Sequence, residues 1–501
     1  MGLVTNGDPR GPHSSALSGI RDVAVIGAGI SGVSSAAHLL RLGLRATVFE
    51  RTRVIGGVWH FDPRPDTEPP FPNERPHQPN WEAIKARGVG VEELELLHAP
   101  TSPCYAGLVN NIPTPVMRSS LLRWPEGTGE FVTQDVVRQY IEDIARQNGV
   151  LDAIEFDTRV ESVKKLDDNK WTVQTRKLHR IESAPGYSLE EKERKFDVVV
   201  VASGHYNVPR VPDIPGLSTW KRRFPDRVRH SKVYRTPDPF EGKTILLIGA
   251  GASSMDIAKE VSDLGGKVYQ SVRDSNFAIS EDRLPETAER VAMVSEFATD
   301  GSDTVAALQD DEPIPEKVIL SDGRVLEGID HIVVATGYIT SYPFLGDLEQ
   351  PYVPWKDADE KVVITSDGYI THNLHKDVFY IPDPSLAFIG VSHLVSTFSL
   401  FDFQSQVVAR VFAGQVQLPT ESVMKQEHKK RKAEFQPGDR FHSLFSREDR
   451  YMDEVLAWVN KGLAQAGLPE MRGVDDEWVN GYRALKEKLA SLRAPVVATR
   501  N

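Results

Sequence analysis

Cysteine is the scarcest resource in this chain: Cys104 is the only one in 501 residues. A single thiol cannot form an intramolecular disulfide, a CxxC redox pair or a multi-cysteine zinc site, so any redox chemistry needs an organic cofactor and no metal centre is expected. Long hydrophobic runs are also missing, since no stretch reaches the ~20 apolar residues of a membrane helix. Met1 to Ser18 mixes Gly, Pro, Asn, Asp and Ser without an apolar core. It reads as a flexible amino terminus (1–20), neither signal peptide nor anchor, and Asn6 stands where a myristoylation site wants Ser or Thr. Excess positive charge is absent as well: 59 Lys and Arg against 71 Asp and Glu leave a net charge of −12. That balance argues against a nucleic-acid partner. The expectation is a cytoplasmic protein whose partners include neither nucleic acid nor membrane.

What the chain does contain is near the globular average, with 40% hydrophobic and 26% charged residues. At roughly 150 residues per domain, its length suggests about three units, or two if one is large. Two apolar runs enter glycine-rich turns and then helical patterns: Asp22-Val23-Ala24-Val25-Ile26 into GAGISG, and Lys243 to Ile248 into GAGASS. Two further runs, Phe196 to Val201 ending in ASG and His331 to Val334 ending in ATGY, read as buried strands. This order predicts an α/β fold with two Rossmann-like dinucleotide-binding domains, the smaller inserted in the larger. The expected boundaries are 21–210 and 332–501 for the larger domain, the latter with a carboxyl-terminal helical extension, and 211–331 for the smaller. Pro209, Pro212 and Pro215 stiffen the first crossing. Phe61 to Pro79 holds seven of the 33 prolines, so it is a long loop, either a lid over the substrate entrance or a surface excursion. The basic run Lys429 to Lys432 reads as a solvated helix face.

In the first motif, Gly27 permits the tight turn, Gly29 lets backbone approach a pyrophosphate, and Gly32 lets the helix pack on the strand. The helix start offers unpaired N–H groups to phosphates. Glu50, 23 residues after Gly27 and at the end of a second strand, can accept both hydroxyls of an adenosine ribose. The second motif has Gly249 and Gly251, with Ser254 in third place. The same count of 23 residues reaches Val272, flanked by Ser271 and Arg273 instead of an acid. Arg273 can pair with a 2′-phosphate and Ser271 can donate to it, which favours NADPH over NADH; in the alternative, Arg273 pairs with Asp274.

After Glu50 the segment ERTRVIGGVW supplies Gly56, Gly57 and Trp59. Here the chain resembles the flavin-containing monooxygenase family, in which Glu-x5-Gly-Gly-x-Trp belongs to the FAD site. The resemblance continues at Phe224 to Pro239, where FxGxxxHxxx(Y/F)(K/R)xxx(P/D) is matched at Phe224, His230, Tyr234, Arg235 and Pro239 but not at Asp226. It continues again at Cys104 to Met117, similar to Tyr-x2-Leu-x-Thr-Asn-x-Pro, with Asn110 replacing the threonine.

The resemblance implies that Ile30, Ser31, Arg51, Val58, Trp59, Asn110, Asn111, Val160, Gly204 and Gln404 join Gly27, Gly29, Gly32, Glu50 and Gly57 along FAD. It likewise implies Ser253 on the NADPH side. Asn111 is the implied catalytic side chain, beside the reactive edge of the flavin; read from the residues alone, Asn110-Asn111 before Ile-Pro is a turn. Trp59 read alone is a core tryptophan, and His230 reads as structural. The implied activity is FAD-dependent, NADPH-consuming monooxygenation: one oxygen atom of molecular oxygen passes from a flavin hydroperoxide to nitrogen or sulfur of a small organic molecule, such as a secondary metabolite. A Baeyer–Villiger reaction on a ketone is the alternative, with Arg235 among its candidate arginines, although such enzymes usually show Trp-Pro where this chain has Tyr234-Arg235. A flavin-binding redox sensor is the non-catalytic alternative.

Overall fold

The computed structural model describes residues 17–74, 88–181, 186–273, 278–299, 301–302, 304–305, 308–435 and 441–491. Most of the proposed flexible amino terminus, Arg75 to Pro79 of the proline-rich loop, and Asp274 therefore lie outside the described residues.

The first apolar run is strand β1 (Asp22–Ile26), which pairs in parallel with β2 (Arg45–Phe49) and β3 (Val198–Val201). Helix α1 (Ile30–Arg41) links β1 to β2, and its first ten residues are buried. Buried on both faces, such parallel strands read as unbroken apolar runs, which is why Val198 to Val201 is four valines. The seven-stranded sheet runs Leu374–His375, Phe379–Tyr380, Leu386–Phe388, β3, β1, β2, Ile154–Glu155. Residues before 202 and after 373 thus share one sheet, as an interrupted domain requires.

The second motif builds β4 (Thr244–Ile248), α2 (Ala252–Asp263) and β5 (Lys267–Ser271). The run His331 to Val334 is β6 (His331–Val334), which pairs with β4 through Ile245↔His331 to Ile248↔Val334. The five-stranded sheet is Ala288–Val291, β5, β4, β6, Val228–His230. This corrects the expected boundary at 331/332: Ile332 to Val334 belong to the smaller sheet, and the chain returns after them. An apolar run announces a buried strand but does not say which sheet it joins.

The two crossings are paired with each other. Val208–Pro209 and Tyr338–Ile339 form a two-stranded antiparallel ribbon, and Arg210 N donates to the Gly337 carbonyl at 2.9 Å. Between β2 and β3 the larger domain also carries an antiparallel sheet of Thr158–Lys165, Trp171–Arg180 and Tyr187–Phe196, which the sequence reading did not anticipate.

The described part of the proline-rich loop, 61–74, is a strap lying on the smaller domain. Asp66 forms a buried ion pair with Lys232 at 2.5 Å, and Asn73 and Val211 exchange backbone hydrogen bonds at 2.9 and 2.8 Å. Phe71 packs against the smaller domain's core. After Pro419 the chain is helical, with Glu421–Glu434, α4 (Glu448–Gln465) and α5 (Asp476–Ser491); α3 (Phe398–Phe412) precedes them and packs against α1. Lys429 and Lys430 are solvent-facing as expected, but Arg431 turns inward and grips the buried Asp377 with two hydrogen bonds of 2.6 and 2.8 Å. That guanidinium, with His442, holds the Asp377 carboxyl far below the usual range despite burial.

Candidate functional site

One cavity of about 2030 Å³ runs from the first motif to the second. Gly27, Gly29, Ile30, Ser31, Glu50, Arg51, Gly57, Val58, Trp59, Asn110, Asn111, Val160 and Gly204 line one part, and Gly249, Gly251, Ser253, Ser271 and Arg273 line another. Three expected site residues, Gly32, Ser254 and Gln404, are not on its wall.

The first turn is built by close backbone approach. Gly27 has φ +103°, and a Cβ there would sit 2.7 Å from the Ala202 carbonyl oxygen. A Cβ on Gly32 would lie 1.8 Å from the Gly27 oxygen, so Gly32 acts by letting α1 seat on its strand, not by touching a ligand. Gly29 and Gly57 face each other so closely that a Cβ on Gly57 would come within 3.0 Å of the Gly29 Cα. Gly29 caps α1 with no side-chain hydrogen bond, leaving the helix-start N–H groups for an anion. Glu50 is 7% exposed; its Oε2 accepts from Ala28 N and its Oε1 from the Thr52 N–H and hydroxyl, each at 2.8 Å. These three donors fix the carboxylate while leaving lone pairs toward the cavity. Arg51 donates to Asn207 Oδ1 at 3.0 Å, and burial lowers its guanidinium pKa. The turn, the uncapped helix and the oriented acid fit the pyrophosphate and ribose of FAD.

The second turn repeats the backbone and changes the rest. Gly249 has φ +113°, and a Cβ there would lie 2.4 Å from the Ala335 oxygen. Gly251, the cap of α2, carries no side-chain cap and has open space where a Cβ would be. Ser254 is fully buried and accepts from Gln270 Nε2 at 2.8 Å, so this third position is a packing contact rather than a ligand contact. The Ser271 hydroxyl donates to the Ala292 carbonyl at 3.1 Å and accepts from Val294 N at 3.0 Å. Its proton is therefore committed, which corrects the reading of Ser271 as a phosphate donor. Arg273 is exposed on the cavity wall, and with no acid at the strand end the cradle fits a dinucleotide bearing an extra phosphate.

Asn110 and Asn111, adjacent in sequence, differ in role. Asn110 is 2% exposed and its amide is fully used: Nδ2 donates to Ile112 and Glu130 carbonyls at 2.6 and 3.0 Å, and Oδ1 accepts from Val132 N at 2.5 Å. Asn110 shapes the loop and has no polar hydrogen left for a cofactor. Asn111 is exposed to the cavity. Trp59 packs edge-to-face on Phe398 at 6.4 Å, a contact that places the start of α3 beside the Gly56–Trp59 segment. Gln404 turns away instead, donating to the Tyr451 hydroxyl of α4 at 3.0 Å within the core. The resemblance implied a place along FAD for it, but its amide is spent on α4 and does not reach the cavity wall.

Arg235 is not on the wall of this cavity. Its Nε and Nη atoms donate to the carbonyls of Arg64, Lys232 and Tyr234 at 3.1, 2.8 and 2.9 Å and to the Thr101 hydroxyl at 2.7 Å. This candidate arginine of the ketone alternative is thus spent on holding the chain around it. His230 is buried, its Nδ1 accepts from Lys232 N at 3.0 Å, and burial pulls its pKa down to about 3, as a structural neutral imidazole requires.

Other wall residues were invisible to motif reading. Leu394 and Thr397 line the cavity with φ of 55° and 53°, unusual for residues with side chains and a mark of a constrained segment just before α3. Glu448, the first residue of α4, is fully buried and accepts from Ser396 N at 2.8 Å and from the Ser396 hydroxyl. Desolvation raises its carboxyl pKa to about 7. Tyr482, Leu485 and Lys486 of α5 also reach the wall.

The family model described as flavin-binding monooxygenase-like matches residues 20–68, 98–295 and 311–465. The flavin-containing monooxygenase ustF2 of Aspergillus flavus is 41% identical over 485 residues, covering 93% of this chain and 97% of the relative. The flavin-containing monooxygenase iboF of Amanita muscaria is 28% identical, covering 90% of each. Among solved structures, the S-allyl-L-cysteine S-oxygenase of Allium sativum is similar with a TM-score of 0.69 and 26% identity, over 94% of this chain and 93% of that one.

Proposed function

The chain belongs to the flavin-binding monooxygenase-like family and is a flavoprotein monooxygenase using FAD and NADPH, and from that premise we propose how its residues divide the work. FAD lies along the Gly27 to Glu50 half of the cavity and NADPH along the Gly249 to Arg273 half. The reaction oxygenates nitrogen or sulfur of a small organic molecule, with molecular oxygen as co-substrate. The observation that carries the division is the single cavity connecting both glycine turns.

When bound together, the two cofactors supply reducing equivalents and oxygen activation, and the protein supplies binding, orientation and dryness. Glu50 receives the adenosine ribose, and the uncapped starts of α1 and α2 receive the two pyrophosphates. Trp59, Phe398, Leu394 and Val109 give the wall an apolar character that keeps water from the reacting atoms. Asn111 presents a neutral amide that hydrogen-bonds without titrating, so it orients its partner and moves no proton. A sulfur or amine nitrogen brings its own lone pair, so no protein base is needed to activate it. With Arg235 tied to backbone, the ketone reading loses one of its candidate arginines.

The similarity to an S-allyl-L-cysteine S-oxygenase makes thioethers the first substrate class to try, with primary and secondary amines next. The test is product analysis under NADPH and oxygen: sulfoxides or N-oxygenated amines support the reading, whereas a lactone from a cyclic ketone with neither of these contradicts it.

A further inference from the structure

The loop that carries Asn111 is clamped to the nucleotide helix of the other domain. Tyr105, 5% exposed, donates its hydroxyl to the carboxylate of Asp256 on α2. One helical turn on, Tyr234 donates to Glu260, and the two tyrosine rings meet edge-to-face at 5.6 Å. Residues four apart share a helix face, so both carboxylates of α2 point at this seam. Gly107 makes the contact possible: a Cβ there would stand 1.9 Å from Glu260 Oε1. Ala106 N donates to the Arg235 carbonyl at 2.9 Å, fixing the backbone beside the clamp.

At its far end the same loop is held by the larger domain. Gln134 N donates to the Leu108 carbonyl at 2.9 Å, and Asn110 is locked to Ile112, Glu130 and Val132. Only a few residues therefore separate a grip on α2 from a grip on the larger domain, and Asn111 follows directly. Asp256 itself reaches the cavity wall, three residues beyond Ser253 at the start of α2. Burial raises the Asp256 carboxyl pKa, so a phenol proton directed at it offsets a cost that neither group could bear alone.

We propose that Tyr105 is a positioning residue: its bond to Asp256 transmits dinucleotide occupancy of α2 to the Asn111 loop. The inference rests on NADPH occupying the Gly249 to Arg273 half. A nucleotide that settles α2 also settles the loop, because the loop is held to α2 at Tyr105 and to the larger domain at Leu108 and Asn110. A merely structural tyrosine would stabilise the fold equally with or without nucleotide.

The decisive experiment is amide hydrogen exchange on the FAD-loaded full chain, with and without NADP+, for the parent, Tyr105→Phe and Tyr234→Phe. The parent should gain protection at Gly249 to Ser253 and at Tyr105 to Ile112. Tyr105→Phe should keep the first and lose the second, while Tyr234→Phe keeps both. Asp256→Ala breaks the same bond from the helix side and should reproduce the loss, which guards against a folding defect peculiar to one variant. Product formed per NADPH consumed should fall about five-fold or more in Tyr105→Phe, a coupling-sized effect, with the KM for NADPH near the parent's. Unaltered protection of Tyr105 to Ile112 in both Tyr105→Phe and Asp256→Ala overturns the inference, as does equal loss in Tyr234→Phe. Absence of protection at Gly249 to Ser253 in the parent overturns instead the placement of NADPH on which it rests.

Discussion

The two glycine turns share a backbone, and share Ala28/Ala250 and Ser31/Ser253 as well, but differ at the third glycine position and at the strand end. Gly27 and Gly249 hold φ of +103° and +113°, and each turn opens on a helix with no side-chain cap. The first then has a glycine where the helix crosses the strand and a carboxylate, held by three donors, at the end of β2. The second has a serine tied to Gln270, a committed serine at the end of β5, and an exposed arginine two residues on. The turn supplies a phosphate cradle common to any dinucleotide, and the strand end selects which one.

The comparison breaks most severely at the third position. Gly32→Ala forces a Cβ against the Gly27 oxygen, which backbone cannot avoid cheaply, so a loss of more than ~4 kcal/mol and a chain that purifies without FAD are expected. Flavin absorbance per protein and thermal unfolding check this. At the strand end of the second motif, Arg273→Ala removes the cation and should raise the KM for NADPH about 10- to 100-fold, the weight of a charge-assisted contact, while NADH kinetics stay near the parent's. Unchanged NADPH kinetics would remove Arg273 from the site.

Glu50→Gln tests the matching position in the first motif. The amide must turn an NH2 toward one of three protein donors, so FAD affinity should weaken about ten-fold, read by titration of the apoprotein. The smallest effects fall on the two serines. Ser254→Ala loses one buried hydrogen bond, about 1 kcal/mol of stability, with flavin content unchanged. Ser271→Ala should leave the ratio of NADPH to NADH efficiency unaltered, because the hydroxyl it removes serves Ala292 and Val294.

The elements legible in advance were those whose period or turn chemistry is local. The parallel strands show as apolar runs, the helix starts as glycines with small neighbours, and the insertion as the order of four runs. Strand membership was not legible for Ile332 to Val334, because hydrophobicity reports burial and not partner. Similarly, Asn110 and Asn111 look alike in sequence, and only the loop's fold consumes one amide and frees the other. Gln404, placed along FAD by the resemblance alone, lies three residues past the wall residue Phe401 on α3, and the packing of α4 claims its amide instead. The wall residues near Glu448 and Tyr482 come from segments with no motif, assembled by packing over long separations.

Oxygen transfer to nitrogen or sulfur is tested most directly by the amount of oxygenated product formed per NADPH consumed, measured with a thioether, an amine and a cyclic ketone side by side. The expected result is near-equal amounts of sulfoxide or N-oxygenated product and oxidised NADPH, with the ketone recovered unchanged. NADPH consumption that yields a lactone from the ketone and no oxygenated thioether or amine would contradict it.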